Sequence, residues 1–188
     1  MYKYEKRLQY PIDIKRKDLK MAKFIIAQYG GPHGEMGAST RYLAQRYTMP
    51  DERGRTLLTE IGTEEIGHEE MICTIVYQLT KGASLKELED AGLAPYYVDH
   101  GVGLYPCDAN GNPFTAASLS SSGDFITDLT EDLAAEEKAR STYEHLIDLA
   151  SDQDVIDPLL FLRQREVVHY ARFKNLLDIY KKELKLNY

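Results

Sequence analysis

Two segments of this chain repeat one spacing of inward-facing residues, and each places a glutamate and a histidine at the same two positions. The steps alternate between three and four residues, as expected for a helix that turns one face toward the interior of a bundle. The first series is Leu58, Ile61, Glu65, His68, Ile72, Ile75 and Leu79, and the second is Leu159, Leu162, Glu166, His169, Phe173, Leu176 and Tyr180. The fold must therefore accommodate two Glu-x-x-His pairs in a helical core.

Two further glutamates, Glu35 and Glu136, lie 30 positions before Glu65 and Glu166 respectively. A single shift of 101 positions relates five pairs of residues: Glu35 and Glu136, Glu65 and Glu166, His68 and His169, Ala38 and Ala139, and Tyr42 and Tyr143. Two helical hairpins packed around an approximate two-fold axis would produce this repeat. At ~1.5 Å per residue, the first hairpin brings Glu35 and Glu65 to one level of the bundle.

Turn and capping signals divide the remaining sequence. Ser84 and Glu87 form a predicted capping box, and Asp157 followed by Pro158 predicts the start of the last helix. The predicted helices cover about 18–29, 34–47, 51–80, 122–150 and 157–184, with an N-terminal arm over 1–17 and a long crossover loop over 92–123. We therefore predict a single all-α domain over 1–188, a ferritin-like four-helix bundle whose crossover joins the second long helix to the third.

The composition narrows the class of protein. The chain has 188 residues, with 23 Lys and Arg against 30 Asp and Glu, and its net charge of −7 disfavours binding to nucleic acid. Cys73 and Cys107 are too few for a disulfide framework, and no apolar run approaches the ~18–20 residues of a membrane span. The N-terminal segment lacks the apolar core of a signal peptide. We expect an intracellular protein that binds neither nucleic acid nor membranes.

Four glutamates and two histidines in one core require a compensating charge. A buried carboxylate without a partner is strongly disfavoured, and four together repel one another. No Lys or Arg lies in these stripes, which argues against a cluster of salt bridges. Two divalent cations would balance the carboxylates, and carboxylate with imidazole donors suits Mn or Fe. Tyr42, two turns from Glu35, is expected to join the catalytic residues as a hydrogen-bonding neighbour. The predicted dinuclear site consists of Glu35, Glu65, His68, Glu136, Glu166 and His169.

The other polar candidates fit less well. Glu137 is the rival of Glu136 on the third helix, but its stripe is largely charged and indicates a solvent-facing side. His33, His100 and His145 have no glutamate three residues before them. We expect these histidines at the surface or behind the ligands.

Around these residues the sequence resembles the manganese catalase family, over nearly its whole length. The short chain is most like the small spore-coat branch of that family. The matching segments are 30–36, 42–45, 62–71, 108–114, 121–124 and 135–140. The resemblance implies dismutation of hydrogen peroxide to water and oxygen by two Mn ions per chain, in a homo-oligomer that would be a hexamer. It also implies a place in the bacterial spore coat, with other coat proteins as partners.

The resemblance assigns the ligands to two ions and a bridge: Glu35 with His68, Glu136 with His169, and Glu65 between them. It makes Glu166 a catalytic base beside the metals rather than a ligand. In di-iron proteins with the same motif Glu166 would instead be a ligand, and the residues alone leave both possibilities open. Some catalases carry an arginine just before the third-helix ligand, where this chain has Ala135. Control of charge and access in the pocket would therefore differ.

Two other functions stay open at this point. A di-iron peroxidase or ferroxidase would use the same donors with Fe, although the chain has no Cys-x-x-Cys pair for a rubredoxin-like centre. A structural coat or assembly protein could retain a residual metal site. The complete set of six residues argues against full loss of the site, but it does not establish turnover.

Overall fold

The computed structural model of the chain describes residue 5 and residues 7–186, apart from the side chain of Ser118. This part of the chain is helical, and its one β-type contact is an isolated bridge between Cys107 and Pro113. The α-helices are α1 (Leu19–Ile25), α2 (Ala27–Gly30), α3 (Glu35–Gln45), α4 (Glu52–Thr80), α5 (Leu85–Asp90), α6 (Ala94–His100), α7 (Phe125–Leu149) and α8 (Gln153–Glu183), with 3-10 turns at Arg46–Thr48 and Ala116–Ser118. The predicted all-helical class is confirmed. Among the described residues, no helix is both long and apolar enough to cross a membrane.

Four of these helices form a bundle of two hairpins. α3 packs along α4, and α7 packs along α8. The hairpins meet through contacts of α4 with α8 and of α3 with α7, while α1 lies on α4 beyond the end of α3. The long connection from α4 to α7 is the predicted crossover, so the arrangement is the ferritin-like bundle expected from the sequence.

Side-chain caps explain where most helices begin, because the first backbone N–H groups of a helix need acceptors from outside it. The predicted capping box of α5 forms, since the Ser84 hydroxyl accepts from the Glu87 backbone N–H and the Glu87 carboxylate accepts from the Ser84 backbone N–H. The capping aspartates of α1, α4, α7 and α8 are Asp18, Asp51, Asp124 and Asp152.

The start of α8 corrects the expectation that Asp157 caps the helix and Pro158 is its first residue. The helix begins at Gln153, and the Asp152 side chain accepts its first hydrogen bond. Pro158 is therefore an internal residue near the N-terminus, where it removes one backbone hydrogen bond. The additional turn is stable because it has its own cap and buries Val155 against the bundle.

The crossover segment 92–123 contains more helix than predicted, because it includes α6 and a 3-10 turn. Its central turn is closed by the Asp108 carboxylate, which accepts backbone N–H groups from Asn110 at 2.8 Å and Asn112 at 2.9 Å. The segment lies directly against the bundle at Gly30, where a Cβ atom would sit 2.2 Å from the backbone nitrogen of Cys107. Any side chain at this position would force the crossover away from the helices.

The apolar residues form two clusters with a polar layer between them. One cluster includes Ile72, Ile75, Leu79, Leu159 and Leu162. The other includes Leu58, Ile61, Leu129, Phe173 and Leu176. The glutamates and histidines of the two predicted seams lie in the gap between these clusters, as their positions in the series indicated.

Before α1 the chain forms an arm without helix or strand over residues 7–17. The Gln78 side chain holds this arm on α4, since its Oε1 accepts from the Ile14 backbone at 2.7 Å and its Nε2 donates to the Ile12 carbonyl at 3.1 Å. The prediction of an extended arm also covered residues 1–4 and 6, which lie outside the described residues.

Candidate dinuclear metal site

Six side chains meet in the polar layer, and they are the six residues of the dinuclear site predicted from the sequence. All of these residues are at most 2% exposed. They come from four helices: Glu35 from α3, Glu65 and His68 from α4, Glu136 from α7, and Glu166 and His169 from α8. The bundle therefore brings together residues that are more than one hundred positions apart in the sequence.

These side chains divide into two donor groups that overlap. Within each group, one oxygen or nitrogen atom from every residue lies within 4.8 Å of the others. Glu65 and Glu166 belong to both groups, Glu35 and His68 complete the first, and Glu136 and His169 complete the second. Two cations could be held side by side, with the shared glutamates between them.

Glu65 occupies the centre of the site. Its two oxygens face different histidines, with Oε2 2.7 Å from Nδ1 of His68 and Oε1 2.8 Å from Nδ1 of His169. The outer glutamates lie farther from the same atoms, since Glu35 Oε2 is 3.7 Å from His68 Nδ1 and Glu136 Oε2 is 3.7 Å from His169 Nδ1. The arrangement is thus nearly symmetric about the Glu65 carboxylate.

Glu166 has the opposite electrostatic character to Glu65. Burial raises the pKa of the Glu166 carboxyl well above its ordinary value, and the charges of Glu65, Glu136 and Glu35 raise it further. Burial also acts to raise the pKa of Glu65, but the two histidine rings outweigh it and lower that pKa. The surroundings therefore favour the charged form of Glu65 and the protonated form of Glu166.

The pKa values of the remaining candidate ligands depend on the same two effects, burial and the charges of neighbouring groups. Burial and the charge of Glu65 raise the pKa of Glu35 to about 7, and burial also raises the pKa of Glu136. Burial acts to lower the pKa of His68 and His169, but the Glu65 charge and the other nearby carboxylates raise it. Protons therefore accumulate in the polar layer of the metal-free protein, where they reduce the repulsion between the carboxylates.

Two buried tyrosines connect the hairpins at this level. The Tyr42 hydroxyl donates to Glu136 Oε1 at 2.5 Å, and the Tyr143 hydroxyl donates to Glu35 Oε1. Each tyrosine thus contacts the glutamate of the opposite hairpin, whereas the helical spacing had placed Tyr42 near Glu35. Tyr143 was not selected as a site residue from the sequence, although the shift of 101 positions pairs it with Tyr42.

No sequence pattern singled out the ion pair of Glu64 and Arg165, which lies behind the histidine rings. Arg165 Nε lies 2.7 Å from Glu64 Oε1, and Glu64 in turn lies close to the outer nitrogens of both rings. Burial acts to raise the pKa of Glu64, but the nearby His169 and His68 rings and the hydrogen bond from Arg165 lower it well below its ordinary value. The sequence contained a signal, because positions 64 and 165 are also 101 residues apart.

The weaker candidates lie outside the cluster. Glu137 is exposed and pairs with Arg140, as its stripe predicted. His33 and His145 are exposed, and the half-buried His100 stacks on Tyr105 with ring centroids 3.9 Å apart. None of these side chains belongs to the two donor groups.

The site has the donors that a pair of cations requires. Among the described residues, Glu136 Oε2 and Glu166 Oε1 are buried without a hydrogen-bond partner, and Glu65 Oε1 and His169 Nδ1 lie 2.8 Å apart without the geometry of a hydrogen bond. Such atoms are rare in folded proteins, because burial without a partner is unfavourable. Metal coordination would satisfy them, and a set of carboxylates with two imidazoles is suited to Mn or Fe. The residues present therefore fit a dinuclear metal centre.

Comparison with known proteins identifies the relatives of the chain. Protein CotJC of Bacillus subtilis (strain 168) is 52% identical over 183 residues, which are 97% of this chain and 96% of that protein. The manganese catalase of the same strain is 32% identical over 182 residues, 90% of this chain and 67% of that enzyme. The crystal structure of KatB, a manganese catalase from Anabaena, superposes with a TM-score of 0.87 at 29% identity, covering 100% of this chain and 83% of that one. The family model for manganese-containing catalase matches residues 1–186. The chain therefore belongs to the manganese catalase family.

Proposed function

We propose that this protein dismutates hydrogen peroxide to water and oxygen at a pair of manganese ions. The observation that carries the proposal is the buried layer in which two equivalent Glu and His donor groups share Glu65 and Glu166. Family membership supports manganese as the metal. When bound, the ions would supply the two-electron redox capacity that peroxide dismutation requires.

The chain would hold the ions through five residues. His68 with Glu35 would bind one ion, and His169 with Glu136 would bind the other, because each of these glutamates lies beside its histidine at Nδ1. Glu65 would bridge the two, since its oxygens face both histidines. Tyr42 and Tyr143 would keep Glu136 and Glu35 in place through their hydrogen bonds.

Glu166 is proposed as the base that accepts and returns protons during the reaction. Its carboxyl group is buried beside the bridging Glu65, and its Oε1 has no hydrogen-bond partner among the described residues. Burial and the neighbouring carboxylates raise its pKa, which favours the proton-holding form that a group transferring protons between two peroxide molecules needs. A positioned base of this kind contributes ~10²–10⁴ in rate.

A second function, as a component of the spore coat, is favoured by similarity to Protein CotJC. The chain is 52% identical to that protein, against 32% for the Bacillus subtilis manganese catalase. The resemblance to the small spore-coat branch supports a place in the coat, with assembly into a homo-oligomer such as a hexamer. The two functions are compatible, because a peroxide-degrading site inside the bundle leaves the outer surface available for assembly.

Metal content and oxygen evolution, measured on one sample, test the proposed function. Protein produced with both Mn and Fe available should contain about two Mn per chain and release oxygen from peroxide. The His68→Ala variant should lose metal, whereas the matched His145→Ala variant, altered at an exposed histidine, should keep it. Protein that contains iron and lacks oxygen evolution would support a di-iron redox enzyme instead. Protein that binds manganese without turnover would leave the structural role as the better description.

A further inference from the structure

The residues immediately before the two shared glutamates break the internal repeat of the chain. Glu65 and Glu166 are equivalent, but Glu64 precedes the first and Arg165 precedes the second. These two side chains have opposite charges and meet between α4 and α8, with Arg165 Nε 2.7 Å from Glu64 Oε1. If the repeat were exact, positions 64 and 165 would carry the same residue, and two glutamates or two arginines at this place would repel each other. This difference between the two halves thus creates a single ion pair, which lies between the two hairpins.

Glu64 faces both candidate metal-binding histidines from the side opposite to the carboxylate cluster. Its Oε2 lies 3.2 Å from Nε2 of His169, and its Oε1 lies 3.6 Å from Nε2 of His68. The Nδ1 atoms of the same two rings face Glu65. Each imidazole therefore presents one nitrogen to the centre of the site and the other nitrogen to Glu64.

This placement matters because a neutral imidazole carries a single N–H and can bind a metal only through its other nitrogen. A carboxylate near Nε2 favours the form with the proton on Nε2, which leaves the lone pair of Nδ1 available at the centre of the site. Such carboxylates commonly orient metal-binding histidines and increase their basicity. Here a single carboxylate is within reach of both rings.

Arg165 keeps this carboxylate in position. The pair is partly accessible to solvent, with the Glu64 side chain 18% exposed and the Arg165 side chain 27% exposed, whereas both histidines are fully buried. Without a cation beside it, Glu64 could turn outward into the groove between the N-terminal arm and α4, which both side chains line. The ion pair therefore favours the inward position.

We infer that Glu64, held by Arg165, is a shared positioning residue that directs Nδ1 of both His68 and His169 toward the metals. The inference rests on the proposed metal pair, but it does not require that the pair be active. It predicts that loss of the Glu64 charge weakens metal binding on both sides of the site together, although Glu64 belongs to neither donor group.

The Glu64→Gln variant tests this inference against a matched control, Glu60→Gln. Glu60 lies one helical turn away on α4 and also pairs with an arginine of α8, Arg172, but it makes no contact with either histidine among those described. Titration of metal-free protein with Mn²⁺ should show a 10–100-fold lower affinity for Glu64→Gln and an unchanged affinity for Glu60→Gln. The Arg165→Met variant retains Glu64 but removes the cation that holds it inward, so its loss of Mn²⁺ affinity should be smaller than that of Glu64→Gln.

Nuclear magnetic resonance of Zn²⁺-loaded protein gives a second readout that a general loss of stability would not reproduce. The wild-type protein should show slowly exchanging Nε2–H protons for His68 and His169, and Glu64→Gln should make both exchange faster. Equal Mn²⁺ affinity and equal exchange in Glu64→Gln and Glu60→Gln would overturn the inference. Absence of oxygen evolution from the wild-type protein would instead count against the proposed function and would leave both of these measurements unaffected.

Discussion

The hairpin of α3 and α4 and the hairpin of α7 and α8 carry the same residue types at every candidate ligand position, yet their shared glutamates have different surroundings. Glu65 lies within 2.8 Å of a ring nitrogen of both histidines, whereas Glu166 is surrounded by the charges of other carboxylates, those of Glu65, Glu136 and Glu35. The two carboxyl pKa values accordingly shift in opposite directions. A repeated backbone can thus place equivalent groups at one level without giving them equivalent chemistry.

The two hairpins also differ at positions beside the six repeated residues. Arg165 takes the place that Glu64 has in the first hairpin, and Asp132 takes the place of Gly31. Asp132 is fully buried near Glu136, and its pKa is raised by burial and by the charge of that glutamate. Negative charge is therefore distributed unequally between the hairpins, although the six principal residues are symmetric.

The largest expected effect comes from replacing the two shared glutamates separately. Glu166→Gln keeps the shape of the side chain and removes its basicity, so both Mn ions should remain while oxygen evolution falls by ~10²-fold or more. Glu65→Gln should instead lose metal, because a neutral amide is a poor bridge between two cations. Bound Mn and oxygen evolution, measured in both variants, distinguish the roles. Equal loss of metal in the two variants would indicate that Glu166 is a metal ligand equivalent to Glu65.

Removing the metal should reverse the pH dependence of stability. In the metal-free protein the pKa of Glu35 is raised from 4.5 to about 7, so its contribution is present at low pH and is lost as the pH rises through about 7. Glu136 and Glu166 shift in the same direction. The free energy of unfolding should therefore fall between about pH 5 and pH 8, by on the order of 3 kcal/mol from Glu35 alone.

The metal-loaded protein should show the opposite slope over this range, because its ligands must be deprotonated to bind. Denaturant unfolding of both forms at a series of pH values measures the two slopes. The lowered pKa of Glu65 affects the free energy of unfolding only below the ordinary pKa of a glutamate. It therefore does not change the direction of the pH dependence above pH 5. Parallel curves for the two forms would show that the carboxylates are not clustered as described.

The smallest effect concerns the two tyrosines, which offer the most direct test of symmetry. Tyr42→Phe and Tyr143→Phe each remove one hydrogen bond to a buried carboxylate, at Glu136 and Glu35 respectively. Each should lower the free energy of unfolding by about 1–3 kcal/mol, and by similar amounts. Chemical denaturation of the metal-loaded variants measures both values. A much larger loss in one variant would indicate that one half of the site controls the assembly of the other.

Much of the site could be predicted because its residues interrupt regular apolar seams. A glutamate at an inward position such as 65 or 166 requires an explanation, and the histidine three residues later shares its face of the helix. Glu64 and Arg165 could not be found in this way, because they lie beside the seam at partly exposed positions where charged residues are common. Their importance depends on the distance between α4 and α8.

The fold shows a similar division between regular and local features. The long helices follow from periodicity and caps, but the first turn of α8 was missed because Asp157 and Pro158 form a stronger local start signal than Asp152. In the crossover, α6 was missed because a short helix has too few residues to show a period. The first turn of α8 depends on its Asp152 cap and on the burial of Val155, and α6 packs on the apolar core through the partly buried Tyr96.

The polar layer between the two apolar clusters also carries a cost in stability. Leucine or phenylalanine at its six positions would join the clusters into one continuous core, and a bundle of that kind would be expected to gain stability while losing all chemistry. Selection for thermal resistance alone would therefore tend to erase the layer. In this chain all six polar residues and both supporting tyrosines are buried, so the proposed metal pair would have to offset that loss of stability.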